Sequence, residues 1–243
     1  MKKLLMAFIL FPILLLFGCG GNSESDFGPY DTDITRLELK VGGAEILITR
    51  GEDLQVVTDN PYIRAFLRGG TLTVQESGHI GDLDSSTVTV YIPETQVFED
   101  VELSAGAGRL QIDALSCRQL ELELGAGLVE IFDLNALHSA EISGGAGKIV
   151  LHNGNLNRLD FDMGVGEAEI TTALSGECEI SAGVGNLILT VLGERQDFSI
   201  QAQPGLGILE VDGAAVNGKD SIGTGPTHLE IEGGIGNIRI NFQ

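Results

Sequence analysis

Apolar and polar residues alternate along most of the chain after residue 100, and the alternation is centred on a repeated Gly-x-Gly motif. Positions five, three and one before the first glycine are apolar or small in nearly every repeat, and positions four and six after it are always apolar. A period of two on both sides of a glycine corner predicts two short strands per repeat, each with one face inward. The first glycines are Gly106, Gly125, Gly145, Gly164, Gly183, Gly205 and Gly234, at spacings of 19, 20, 19, 19, 22 and 29 residues.

A strand–corner–strand unit of about 19 residues is too small to bury its own apolar face, so successive units must stack and share one core. The sequence therefore predicts an all-β fold, a β-solenoid of the right-handed β-helix-like type. Glycines suit its corners because they adopt positive φ and, lacking a Cβ atom, allow corners to stack at the roughly 4.8 Å spacing of paired strands. The expected consequence is one continuous buried column formed by Leu122, Ile142, Phe161 and Ile180.

The repeat frame also fits residues 37–48, which places the start of a single repetitive domain near residue 35. This domain is expected to cover 35–243, with an irregular part at 50–100 and regular repeats at 101–243. Turn residues such as Pro61 and Pro93 separate the strand-like runs of the irregular part. A longer excursion at 212–228 interrupts the period and is interpreted as a tolerated loop insertion.

The first residues have the composition of a signal peptide. Met1-Lys2-Lys3 precedes an apolar run that ends at Phe17, so residues 1–18 are expected to be removed on export. The segment Leu16-Phe17-Gly18-Cys19 resembles the bacterial lipobox, which implies that Cys19 becomes the acylated first residue of a lipoprotein. A retained helical membrane anchor, or ordinary secretory cleavage beside a free cysteine, are the alternatives. Residues 19–34 are predicted to be a flexible tether.

The charge of the chain restricts its partners. Fourteen basic and 35 acidic residues give a formal net charge of −21. Nucleic acid is not expected as a partner, because phosphate binding needs clustered Lys and Arg. Anionic headgroups would repel the domain, which leaves the lipid on Cys19 as the expected membrane contact. The protein is thus predicted to be exported and lipid-anchored to the cell envelope, and Gly20-Gly21 favour the outer membrane by analogy with other lipoproteins.

Acidic residues recur at the outward position four residues before the first glycine, and stacked rungs would align them into a row about 4.8 Å apart. Three interpretations remain open: a solvated face that discourages aggregation, a face that gathers divalent cations such as Ca²⁺, and a docking surface for a basic macromolecule. The residues at this position are Glu102, Glu121, Glu141, Asp160, Glu179, Gln201 and Glu230.

The two remaining cysteines are expected to be unpaired. Cys178 shares the inward register of Leu120 and Leu159, whereas Cys117 is placed in the turn before Gly125. Three stacked repeats would separate the two by about 14 Å, well beyond the limit of roughly 7 Å for bridged Cα atoms. No disulfide is therefore predicted between them.

No constellation of residues predicts catalysis. The four histidines share no metal-ligand spacing, and there is no G-x-S-x-G elbow, H-E-x-x-H motif or Walker loop. No enzymatic activity, cofactor or metal is therefore expected. The alternative is an envelope carbohydrate-active enzyme, a lyase or hydrolase on a β-helix, because abundant carboxylates could supply an acid and a base.

A family resemblance is carried by Val90-Tyr91-Ile92-Pro93, by Val101 to Gly108, and by the Gly-x-Gly strands that follow. These segments resemble the bacterial putative-adhesin domains of unknown function, also called head-domain adhesins or toast-rack-like domains. The resemblance covers roughly residues 35–243 and implies a β-solenoid on an exported protein, with no catalytic residues to carry over. It favours a binding, adhesion or scaffold role towards an envelope or extracellular macromolecule.

Overall fold

The computed structural model describes residues 25–30, 33–77 and 86–243. The predicted β-solenoid is confirmed: these residues form twenty β-strands and one short 3-10 helix, Arg195–Asp197. In this part of the chain we find no helix with the length and apolar character needed to cross a bilayer. The predicted signal peptide and Cys19 lie outside the described residues.

The central rungs of the solenoid are parallel strands joined by short turns. They are β8 (Phe98–Ile112), β9 (Leu115–Ile131), β10 (Leu134–Ser143) with β11 (Ala146–Leu151), β12 (Gly154–Asn157) with β13 (Leu159–Ser175), and β14 (Glu177–Val191). Each Gly-x-Gly motif pairs in register with the motif of the next rung, as in Gly127 with Gly108 and with Gly147. The regular period in the sequence is therefore the period of the stack.

The prediction of two separate short strands per repeat is wrong for several rungs. In β8, β9, β13 and β14 the strand continues through the Gly-x-Gly motif, which acts as a bend inside a strand of 15 to 17 residues. The hydrogen-bond ladder between rungs continues across the bend because the bend of each rung lies directly on that of its neighbour. In other rungs, such as that of β10 and β11, the motif lies between two separate strands.

The bend can stack only because its two glycines lack side chains. A Cβ atom on Gly125 would fall on the carbonyl oxygen of Gly106 in the preceding rung, and one on Gly127 would fall on that of Gly108. Gly127 also has a φ of 149°, which side-chain-bearing residues rarely adopt. The second glycine thus meets a steric and a conformational requirement at once.

The core is the predicted column of aliphatic side chains. Ile142 pairs in register with Leu122 on one side and Phe161 on the other, and Phe161 pairs with Ile180. All four are at most 4% exposed. Burial of such large apolar side chains stabilises the fold by roughly 1.5–3 kcal/mol each, which is the main force holding consecutive rungs together.

The irregular N-terminal part closes one end of the stack. Its strands are β1 (Ser25–Phe27), β2 (Arg36–Val41), β3 (Glu45–Gly51), β4 (Gln55–Thr58), β5 (Ile63–Arg68), β6 (Thr71–Glu76) and β7 (Thr87–Pro93). The rung β2/β3 lies between β8 and the outer rung β6/β7. Antiparallel β5 then covers β6, and β4 covers β7.

Strand β1 falls within the segment predicted to be a flexible tether. Ser25–Phe27 pairs antiparallel with β4 in the cap, and Ile34 is buried. The fold therefore begins before residue 35, because residues 25–27 supply the last strand of the N-terminal cap.

The C-terminal rungs do not stack in sequence order. They are β15 (Phe198–Gln203) with β16 (Leu206–Val211), and β19 (Thr227–Glu232) with β20 (Ile235–Phe242). The later pair, β19/β20, inserts between β14 and β15/β16. The excursion at 212–228, interpreted from sequence as a tolerated insertion, is instead the return connection, and its short strands β17 (Ala214–Ala215) and β18 (Asp220–Ile222) pair antiparallel with β16 and β15.

Both described cysteines are free, as predicted, and both are buried. Cys178 lies in the core, whereas the placement of Cys117 in a turn is wrong. Cys117 belongs to β9 and pairs in register with Phe98 and Ala136. These residues form a short third wall that the glycine-centred frame does not reveal.

Candidate functional site

The outward carboxylates predicted from the repeat do form one continuous row, which we call the acidic row. It has seven members in consecutive rungs, flanked by Thr73 at one end and Gln201 at the other. Each member alternates along its strand with buried apolar residues, such as Leu120 and Leu122 around Glu121, so the pleat directs the carboxylate to solvent. In spatial order the row is Glu38, Glu102, Glu121, Glu141, Asp160, Glu179 and Glu230.

A second outward row lies two residues further along each strand. Serine and acidic residues alternate in it, so that no two carboxylates of this row are direct neighbours between Ser104 and Glu232. Ser104 Oγ donates a hydrogen bond of 3.0 Å to Glu123 Oε2. In spatial order the row is Ser104, Glu123, Ser143, Asp162, Ser181 and Glu232.

The carboxylates of the acidic row repel one another. Partial desolvation, and then the carboxylates of Glu102 and Glu141, raise the pKa of Glu121. Desolvation followed by Asp160 and Glu230 raises the pKa of Glu179 in the same way. A raised pKa means that the surroundings disfavour the ionised form. A cationic group placed on this face would therefore relieve repulsion.

Lysine supplies such a group at one end of the row. Lys40 Nζ lies 2.7 Å from Glu38 Oε1 and 2.8 Å from Glu102 Oε1. Hydrogen bonds to these carboxylates raise the pKa of Lys40, and the lysine lowers the pKa of Glu38. Thr73 Oγ1 also donates to Glu38. The chain itself thus shows how a primary ammonium group binds between two members of the row.

The acidic row borders an open groove of about 570 Å³. Its lining includes Glu102, Glu121 and Glu141, together with Arg36 and Arg158. Arg36 Nε lies 2.8 Å from Asp100 Oδ2. The groove crosses several rungs, so its shape suits an elongated ligand that follows the stack.

The histidines make local contacts. His152 stacks on Phe132 with ring centroids 4.9 Å apart, His228 Nδ1 lies 3.2 Å from Ser199 Oγ, and His138 contacts Arg158. Among the residues that the structure describes, no group of three His, Cys, Asp or Glu side chains is arranged to hold a metal ion. His79 lies outside them.

A family model described as Toastrack DUF4097 matches residues 34–215 of this chain. The match spans three quarters of the sequence and contains most of the stacked rungs. The chain belongs to the Toastrack DUF4097 family. The resemblance inferred from the Gly-x-Gly repeats is thereby confirmed.

Solved structures similar to this Toastrack chain share little sequence with it. A putative cell adhesion protein from Clostridium sporogenes is 15% identical with a TM-score of 0.39, and the alignment covers 91% of this chain and 99% of that one. A putative adhesin from Bacteroides fragilis is 15% identical with a TM-score of 0.45, covering 89% and 95%. One from Parabacteroides distasonis is 14% identical with a TM-score of 0.36, covering 91% and 96%. No significant match was found among curated proteins.

The row of this Toastrack domain differs from the predicted one in two members. Glu38 was missed, although Leu37 and Leu39 already fitted the repeat frame and place Glu38 between two inward residues. Gln201 was expected between Glu179 and Glu230, but the inserted rung moves it to the end. A polar, uncharged residue thus terminates the row instead of interrupting it.

Proposed function

We propose that this protein is a lipid-anchored, non-enzymatic protein of the cell envelope that binds a basic macromolecule through its acidic row. The observation that carries the proposal is the uninterrupted register of seven carboxylates from Glu38 to Glu230. Like charges directly opposite one another destabilise a sheet by up to roughly 1 kcal/mol per pair before screening. Lys40 compensates the pair Glu38–Glu102, and the other five consecutive pairs of the row keep the cost of this repulsion, which favours a functional role for the charge.

The groove beside the row supports binding over catalysis. A glycosidase holds two carboxylates on opposite sides of the scissile bond, about 5 to 9.5 Å apart across a cleft. In the acidic row the neighbouring carboxylates project from the same sheet face on adjacent parallel strands, as Glu121 and Glu141 do. Such a line can contact a repeating cationic ligand at several points along its length. The names given to the similar solved structures agree with an adhesin-like role.

A matched pair of variants tests the acidic row. The probe is a fluorescently labelled decalysine peptide, titrated by anisotropy at a physiological ionic strength of about 0.15 M. We expect E121Q/E141Q to weaken binding several-fold more than E52Q/D53N, which removes the same charge from exposed positions outside the row. Equal weakening in both variants would show that net charge alone attracts the peptide, and would contradict the proposal.

Calcium is the competing ligand for the same surface, because carboxylate oxygens are its preferred ligands. Calorimetric titration of the wild-type protein with Ca²⁺ distinguishes calcium binding from the binding of a basic macromolecule. A saturable heat that disappears in E121Q/E141Q would favour a cation-gathering face. Its absence, together with peptide binding, supports a basic macromolecule.

The lipid anchor is proposed from the resemblance of residues 16–19 to a lipobox. Two acyl signals are needed for stable membrane attachment, since a single chain gives only marginal affinity. We expect full-length protein expressed in a diderm bacterium to incorporate labelled palmitate and to sediment with membranes. C19S should lose the label and become soluble, and an unchanged label would contradict Cys19 as the acylated residue.

A further inference from the structure

The stacked Gly-x-Gly bends form one edge of the solenoid, which we call the glycine edge. The residue between the two glycines becomes larger along this edge. It is alanine in the N-terminal rungs, and in the C-terminal ones Leu206 is 75% exposed and Ile235 is 55% exposed, next to Ile208 at 55%. In spatial order the series is Ala107, Ala126, Ala146, Val165, Val184, Ile235 and Leu206.

At the C-terminal end of the glycine edge, part of the outermost rung is not covered by another strand of the described chain. On the side away from β20, β16 pairs only with β17, at Glu210 and Val211, and β15 pairs with β18 at residues 200–202. On that outer side the Leu209 carbonyl accepts a hydrogen bond of 2.9 Å from the Val216 N–H, and in the described part of the chain no strand pairs with residues 203–208. The Leu206 N–H donates inward to the Gly234 carbonyl at 2.7 Å, so the peptide groups of the alternate residue Gly207 point outward.

The opposite end of the glycine edge is closed by the chain itself. Glu76 Oε2 accepts hydrogen bonds from the N–H groups of Gly42 (2.8 Å) and Gly43 (3.2 Å) in the first bend. Asn60 Nδ2 holds the other oxygen of Glu76 at 3.0 Å. An uncovered strand edge is a template for pairing with another chain. The fold therefore satisfies the edge at one end and leaves it open, beside its largest exposed aliphatic side chains, at the other.

We propose that residues 203–208 are a strand-acceptor site for an extended segment of a partner protein, with aliphatic side chains at alternate positions and basic residues beside them. The outward backbone groups select an extended chain, because they complete a ladder only with another backbone. Leu206, Ile208 and Ile235 select aliphatic side chains. The net charge of −21 selects a basic segment.

A second copy of this chain fits the edge less well. A segment of six residues, 203–208, buries far less than the roughly 1,000 Å² that a stable interface needs. Two copies would also each bring the same negative charge. The site lies at the bend, between the wall that carries the acidic row and the following wall. It is therefore a different surface from the one in the proposed function, and it can be tested separately.

The probe is the fluorescein-labelled peptide Lys-Val-Thr-Val-Lys-Val-Thr-Lys, titrated by anisotropy against the full domain. We expect binding to the wild type and at least about fivefold weaker binding to L206S/I208T, which removes two exposed apolar contacts. The matched control is V165T/V184T, which shortens no side chain and makes exposed residues of the same edge polar where both neighbouring rungs are already paired. It should bind within about twofold of the wild type.

A second comparison does not depend on the variants folding. Replacing the central Lys of the peptide and its flanking Val residues by Pro removes the backbone donors that a ladder needs, and should abolish binding to the wild type. Protection of the Gly207 amide against hydrogen exchange on addition of the original peptide would support the site. Any of four results would overturn the proposal. These are no binding of the peptide by the wild type, equally tight binding by L206S/I208T, binding of the proline peptide by the wild type, and dimerisation of the protein through this edge. Loss of decalysine binding in E121Q/E141Q with retained binding of this peptide would show that the two surfaces act independently.

Discussion

Glu179 of β14 lies in register with Glu230 of β19, although the rung that follows β14 in the sequence carries Gln201 at this position. The pairing exists because the last segment of the chain inserts before the penultimate one. The insertion keeps seven carboxylates consecutive and places Ser181 opposite Glu232, so the alternation of serine and acid in the second row also continues. Both surface patterns depend on the order of two rungs.

Engineered disulfides should report this order directly. In a C19S background, S181C/E232C joins neighbouring strands and should oxidise readily, since paired strands lie about 4.8 Å apart. S181C/Q203C spans two strand spacings, about 10 Å, and should remain reduced. Mass spectrometry of alkylated, unreduced protein measures both. Oxidation of the second pair in place of the first would mean that the rungs stack in sequence order.

Lower pH should stabilise the solenoid through the acidic row. The folded state raises the pKa of Glu121 and Glu179, so these groups bind protons more tightly when folded. Their unfavourable contribution is therefore present at neutral pH and disappears as the pH falls through the raised folded-state values towards the ordinary value for glutamate. The midpoint of thermal unfolding should therefore be higher at about pH 5 than at pH 7.

The variant E121Q/E179Q provides the control for this effect. It should have a higher unfolding midpoint than the wild type at pH 7 and a smaller change with pH, while E52Q/D53N should follow the wild-type curve. High salt should reduce the difference, because both side chains are exposed and their repulsion is screened. A wild-type midpoint that falls on mild acidification would contradict the prediction.

The regular part of the fold could be predicted because its determinants are local. Leu122 and Ile142 each alternate with outward residues, and each rung repeats this pattern with the same glycine bend, so the sequence predicts both the strands and their stacking. The predicted acidic positions follow from the same period: Glu102, Glu121 and Glu141 lie where it places them.

The order of the C-terminal rungs could not be predicted, because it depends on relations between distant segments. Residues 198–211 and 227–242 carry nearly the same apolar frame, and either could pair with β14. The longer spacings of 22 and 29 residues before Gly205 and Gly234 were the available signal. Cys117 was misplaced for a related reason, since the third wall at Phe98 and Ala136 has no glycine bend to mark it.

The two buried thiols should be inert in the folded protein. Desolvation raises the pKa of Cys117 to about 12, and burial also raises the pKa of Cys178. Since the thiolate is the reactive form, iodoacetamide at pH 8 should modify neither residue in the native protein and both in denaturant. Rapid modification of Cys117 without denaturant would show that the third wall opens under native conditions.

A comparison of two glycines with similar backbone angles distinguishes the effect of backbone strain from the effect of close packing. Gly108 and Gly127 have φ values of 123° and 149°, so alanine is strained at both by about 1–3 kcal/mol. A Cβ atom on Gly108 would approach nothing closer than the Ala44 carbonyl oxygen at 3.8 Å, whereas one on Gly127 would overlap the Gly108 carbonyl oxygen. Only separation of the rungs could relieve that overlap. We therefore expect G108A to fold with a modest loss of stability, and G127A to lower the unfolding midpoint by at least about 5 °C more or to prevent folding. Equal losses in the two variants, measured by circular dichroism, would mean that backbone strain alone accounts for the regular spacing of glycines in the repeats of this chain.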